Sequence, residues 1–287
     1  MDPRIETSLA RALETRDFRD LLERAGPAMG LPGPKPRLEV VREIGGAIAR
    51  DRERGRELAR LLGASEREDA RVIAAAAFGA FAASAASGAT GGGERGRRKG
   101  GGSSEALAAL EELAEDVRGS VRHGVIDALR TVLAADLEGT LAALAGWTDG
   151  FLQVHVALEA LVDRKVLGMV PNKEALLALL DPAFRLADEA SRAADRWQGV
   201  RTLRQGFPAQ ITAFVGRFGE LFEWVLAHAT VTRPETREVM EQTADALLRA
   251  SFRKTDVETL RAALAKSAKP PRDPSRVVQG TRKRGGR

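Results

Sequence analysis

The stretch EDVRGSVRHGVIDALR, residues 115–130, sets Val117, Val121, Val125, Ile126 and Leu129 at the three- and four-residue spacing of one helix face. Between them stand Asp116, Arg118, His123 and Asp127, a mixture open to two readings. It is either a small chemical cluster or one unit of a repeating helical scaffold. Placing VRHGVIDALR (121–130) over QVHVALEALV (153–162), an offset of 32, superposes His123 on His155 and Asp127 on Glu159. VMEQTADALL (239–248) fits the same pattern. A unit that recurs at such a period buries its apolar face against its neighbour, the logic of a stack of helix pairs.

Working outward, Ser103 or Ser104 can cap a helix carrying Leu107, Leu110 and Leu113. A short helix with Leu137, Leu141 and Leu144 leads through the turn GWTDG to a longer one with Leu152, Leu158, Leu161 and Val162. The interval from NKEALLALL through DRWQGVRTLRQGF to RFGELFEWVLAHAT has room for two more pairs. Toward the N-terminus, helices are expected at about 6–24, 37–50, 53–63 and 66–86. Pro32, Pro34 and Pro36 interrupt the chain between the first two as an extended connector, without the Pro-x-x-Pro spacing of a groove ligand. Strand-forming alternation is scarce while Ala, Leu, Glu and Arg dominate, so the expected class is all-α.

DVRGSVRHGVIDALR, with Asp116, Val117, Arg118, Val121 and the closing Ala128-Leu129, resembles the second half of a HEAT-type repeat. The resemblance covers roughly residues 104–167 and fades toward 250; the second copy has TDGFLQVH where the Val-Arg pair would stand. It implies stacked antiparallel helix pairs forming an α-solenoid that binds a macromolecular partner, most often protein, along a shared face. It also implies that Asp116 and Arg118 are ties between repeats. One branch with HEAT-like repeats, the alkylpurine DNA glycosylases, is implied as an alternative; its working Asp lies four residues after a Trp. Four residues after Trp147, Trp197 and Trp224 stand Phe151, Arg201 and His228.

The expected organisation is an N-terminal helical segment (1–87), a flexible Gly/Arg linker (88–103), a HEAT-like domain (104–264) and a basic disordered tail (265–287). The net charge of +5 is uneven: the tail carries +7, the linker +3 and the remainder −5. Phosphate contacts are therefore expected at Arg97, Arg98 and Lys99 and at Arg282, Lys283 and Arg284, with affinity falling steeply with salt. The many glycines of the linker do not end in Gly-Lys-Ser/Thr after a strand, so they form no nucleotide cradle.

With no Cys, no Tyr and three histidines, the chain excludes disulfides and thiol nucleophiles and lacks the usual residues of a metal centre. No catalytic residue, metal or cofactor is expected. His123 and His155 are read either as facing metal ligands or, more plainly, as partly exposed helix histidines; Asp127 and Glu159 either as paired carboxylates or as a solvated face. Trp147, Trp197 and Trp224 are candidate anchors for a partner, with buried core positions as the competing assignment. VIAAAAFGAFAASAAS (72–87) is read as a buried small-residue helix, shorter than a membrane span. The opening residues carry early acids and no apolar run, so a cytoplasmic protein is expected.

Overall fold

The computed structural model describes residues 1–33, 35–89, 101–231 and 233–267. Among them the chain forms fifteen α-helices, one 3-10 turn and no strand. The stretch expected to form one helix over 6–24 is two, α1 (Pro3–Thr15) and α2 (Arg19–Ala28). Arg16 ends α1 in the left-handed region at φ 61°, its N–H returning to the Ala12 carbonyl. Asp17 then accepts the backbone N–H of Arg19, the first residue of α2, at 3.2 Å, although the N-cap position itself is Phe18 and carries no side-chain cap.

After α3 (Leu38–Arg50) and α4 (Arg54–Gly63) comes the longest helix, α5 (Glu68–Ala89). By length and composition Glu68–Ser87 would suffice to cross a membrane, longer than the sequence suggested, and 61% of its apolar window is buried inside the protein. It packs against α3, α4, α6 (Gly101–Ala114) and α7 (Gly119–Ala135). Small residues permit that approach. A Cβ on Gly45 of α3 would fall 2.6 Å from the Ala76 carbonyl carbon, and one on Gly79 of α5 would fall 2.6 Å from the Ala128 Cβ of α7. Close backbone contact replaces the volume that larger side chains would supply. Ile73, Phe78 and Phe81 fill what remains, each buried group of this size contributing about 1.5–3 kcal/mol.

The rest of the chain is α8 (Leu137–Leu144), α9 (Phe151–Leu161), α10 (Arg164–Met169), α11 (Lys173–Glu189), the 3-10 turn Ala194–Arg196, α12 (Gln198–Arg217), α13 (Leu221–Ala227), α14 (Pro234–Arg249) and α15 (Lys254–Ser267). Side-chain caps mark several starts: Asp136 accepts from the Gly139 N–H for α8, Asp163 from Lys165 and Val166 for α10, and Asn172 from Ala175 for α11. Taken in order, α3, α5, α7, α9, α12 and α14 each pack on the next. Val121, Val125 and Leu129, the apolar stripe of the 115–130 stretch, are buried in this row, whereas Val117 lies just before α7 and is 63% exposed.

Helix enters the expected linker from both sides, since α5 runs through Ala89 and α6 begins at Gly101, ahead of Ser103 and Ser104. The central part of that linker and nearly all of the basic tail lie outside the described residues.

Candidate functional site

Asp116 and Arg118 stand at the turn into α7. The Asp116 side chain is 2% exposed and accepts three N–H groups of Arg118: the backbone N–H and Nε on Oδ1, both at 2.8 Å, and Nη2 on Oδ2 at 2.6 Å. The same two residues also reach the α4–α5 connection and α5. Arg118 Nη1 donates to the Glu66 carbonyl at 2.6 Å, and Arg71 Nε of α5 stands 2.8 Å from Asp116 Oδ2 as an ion pair with its N–H not aimed at the oxygen. Arg122 donates to the Asp116 carbonyl at 2.6 Å, and Ser120 hydrogen-bonds Glu68. Burial opposes the Asp116 charge, yet the Arg118 hydrogen bonds and the neighbouring guanidiniums hold its carboxyl below the usual range. Burial pushes the Arg122 guanidinium down, against the pull of Asp116. Arg71 was not singled out from sequence because nothing in local spacing connects it to a residue 45 positions on.

The four residues aligned between α7 and α9 have different surroundings. His123 is exposed, with Nδ1 2.8 Å from the Gly119 carbonyl. His155 is largely enclosed: Gln210 Nε2 lies 3.4 Å from its Nδ1 and donates to Glu159 at 3.1 Å. Gly206 of α12 makes this approach possible, since a Cβ there would fall 2.7 Å from His155 Nδ1. Burial lowers the His155 pKa to about 4, with Glu159 pulling upward and Arg122 and His123 adding to the depression. The expected solvated face does not hold for Asp127, which is 5% exposed and takes two hydrogen bonds from Arg42 of α3, at 2.7 and 2.6 Å. A carboxylate this enclosed needs a fixed cation, and α3 delivers one. Among the described residues no three His, Asp or Glu side chains gather to hold a metal ion.

The three tryptophans have three different environments. Trp147 is 3% exposed within the main core, so its indole is packing and not a surface anchor. Trp197, immediately before α12, is 60% exposed and meets Phe151 of α9 edge to face at 6.5 Å. Gln198 Nε2 donates to the Val117 carbonyl at 2.9 Å, which brings Val117 beside the start of α12. The beginnings of α7, α9 and α12 thus meet at one edge, with Val117, Phe151 and Trp197 upon it. Single exposed apolar side chains are ordinary, but apolar groups gathered at one edge mark a surface that a partner can cover.

Trp224 is half-buried in a cleft of about 420 Å³ between α11 and the region of α13. His228, one helical turn on, stacks on its ring at 4.1 Å, and Phe184 meets both rings edge-on at 5.4 and 5.0 Å. The Trp224 indole N–H donates to Asp181 of α11. The spacing of Trp224 and His228 in WVLAH was visible in the sequence; the convergence of Phe184 and Asp181 from α11 was not.

Arg97, Arg98, Lys99, Arg282, Lys283 and Arg284, expected to meet phosphate, lie outside the described residues. No family model, no curated protein and no solved structure matches the chain.

Proposed function

We propose that the chain is a HEAT-like helical-repeat scaffold, non-enzymatic and cytoplasmic, that binds a protein partner across the edge formed by Val117, Phe151 and Trp197. The repeat reading is supported by the succession α3, α5, α7, α9, α12, α14. The segments 121–130, 153–162 and 239–248, aligned by sequence, belong to α7, α9 and α14 of that row. Another helix precedes several members: α4 before α5, α6 before α7, α8 before α9, α11 before α12 and α13 before α14. Helix pairs stacked in one direction present long surfaces, which suits them to hold other macromolecules.

The observation that carries the binding reading is the exposure of Trp197 and Val117, 60% and 63%, with Gln198, next to Trp197, hydrogen-bonded to the Val117 carbonyl. Tryptophan is the residue type most often found to dominate protein interfaces, and a rigid helical base holds it in place. Affinity capture from the native host tests it, with wild type beside Trp197→Ala and Val117→Asp variants whose helicity is checked by circular dichroism. A protein held by the wild type and lost from both variants supports the reading. A captured protein held equally by all three overturns the assignment of this edge.

The second reading is a DNA-acting relative of the HEAT-like glycosylases. The contact that favours it is the Trp224–Asp181 hydrogen bond, an Asp and a Trp joined through space and not by the four-residue spacing. It requires release of alkylated purine from damaged duplex, with binding that weakens steeply as salt rises.

A further inference from the structure

The start of α7 lies at the partner edge, two residues beyond Val117. Three guanidiniums, of Arg71, Arg118 and Arg122, gather there around the carboxylate of Asp116. Arg118 and Arg71 take its oxygens, whereas Arg122 meets only the Asp116 main-chain carbonyl, through Nη1. Glu68, the next acid, is hydrogen-bonded to Ser120, and its charge acts on Arg118. Among the described residues Arg122 thus has no carboxylate of its own. It is 9% exposed, yet its Nε and Nη2 bond no described group and are not sealed from solvent. Burying a cation without a counter-charge is costly, and burial accordingly loosens the hold of this guanidinium on its proton.

The same guanidinium is aimed at the helix start. Nη2 lies 3.9 Å from where a Cβ on Gly119 would stand, over the first residue of α7. Arg118 at the N-cap gives that helix no side-chain hydrogen bond, which leaves its leading N–H groups, at Gly119 and Ser120, without a capping side chain. At α9 the same need is met by Glu115, whose Oε1 accepts the Gln153 N–H at 3.3 Å. The positive end of a 17-residue helix and a buried, half-satisfied guanidinium therefore face one spot, and both favour an anion. Three guanidiniums against two carboxylates leave one positive charge, which suits a carboxylate better than a phosphate dianion that Asp116 and Glu68 would repel. We propose that this spot is a carboxylate seat, filled by an acidic side chain of the protein that covers Val117 and Trp197, with Arg122 Nη2 and the first α7 N–H groups as donors. The source of the carboxylate rests on the partner reading; the seat rests on the start of α7 alone.

The test is a titration of the full chain followed by the backbone N–H signals of Gly119 and Ser120 in nitrogen-15 correlation spectra. The probes are sodium hydrocinnamate, a carboxylate carrying an apolar tail; its neutral amide; and sodium acetate, phosphate and chloride at matched ionic strength. Hydrocinnamate should move both signals saturably and bind more tightly than acetate, because its ring covers part of the apolar edge, while the amide and chloride leave them in place. Arg122→Gln should weaken hydrocinnamate binding by about tenfold, the effect of one lost charge-assisted hydrogen bond. Should Arg122→Gln lose its helical signal, Arg122→Lys takes its place, with the same direction expected because an ammonium lacks the guanidinium fork. No saturable shift, an equal shift with the amide or chloride, phosphate binding more tightly than acetate, or unchanged binding in the Arg122 variant overturns the seat. Hydrocinnamate binding no more tightly than acetate overturns its proposed occupant. The seat and the partner fail separately: saturable carboxylate binding with no protein photocrosslinked from position 117 keeps the seat and removes the occupant, whereas a crosslinked protein with no carboxylate effect removes the seat and keeps the edge.

Discussion

Arg42 of α3 holds Asp127 of α7 by two hydrogen bonds, 2.7 and 2.6 Å, reaching past α5, the helix against which both α3 and α7 pack. The carboxylate is enclosed while the guanidinium stays 55% exposed, so the two ends of the pair differ in what their loss costs. Arg42→Ala strands a buried charge and should destabilise by about 2 kcal/mol, below the ~3–5 for a fully buried pair because water reaches the cation's side. Asp127→Asn keeps the shape and should cost less. Urea unfolding of the two variants measures the order, and an Arg42→Ala midpoint equal to wild type would contradict it.

The glycine contacts give opposite signs at two positions. Gly79→Ala places a methyl against Ala128, and its overpacking cost of about 1–3 kcal/mol outweighs the roughly 1 kcal/mol gained in helix propensity. Gly46→Ala on α3 meets nothing within 4 Å and should stabilise by about 0.5–1 kcal/mol. Thermal unfolding should therefore move down for the first and up for the second.

His155 makes stability depend on pH. Its folded pKa, about 4, lies below the ordinary 6.5, so the folded state resists a proton that the unfolded chain accepts. The contribution is complete above 6.5 and is lost as pH falls from there toward 4, by at most about 3 kcal/mol. Urea midpoints at pH 7 and pH 5 should differ more for wild type than for His155→Gln. An identical difference in both would sink the assignment.

Asp116 acts lower on the scale. Its carboxyl is held below the ordinary value of 3.8, so its contribution is present above that value and disappears as pH falls through the folded pKa. The stability gap between wild type and Asp116→Asn should be widest at neutral pH and close in acid, as read by chemical unfolding at a series of pH values.

Helical class and most helix positions were legible because they follow from period and composition. Residues 37–50 and 53–63 emerge as Leu38–Arg50 and Arg54–Gly63. The break between α1 and α2 was not legible, because it rests on a left-handed Arg16 where neither glycine nor proline signals a turn. Side-chain roles depended on partners far along the chain. Asp127 reads as solvent-facing until Arg42 is set beside it, His155 reads as exposed until α12 closes over it through Gly206, and Trp147 and Trp197 are indistinguishable until the core is assembled.

A protein partner is proposed to cover the edge bearing Val117 and Trp197 in the cell. Site-specific photocrosslinking tests it most directly, with a photoreactive residue at position 117 in the native host and another at Leu61 of α4, an exposed apolar position on a different helix, as control. Position 117 should give one discrete crosslinked protein and position 61 none. No adduct at 117, or the same adducts at both positions, would contradict it.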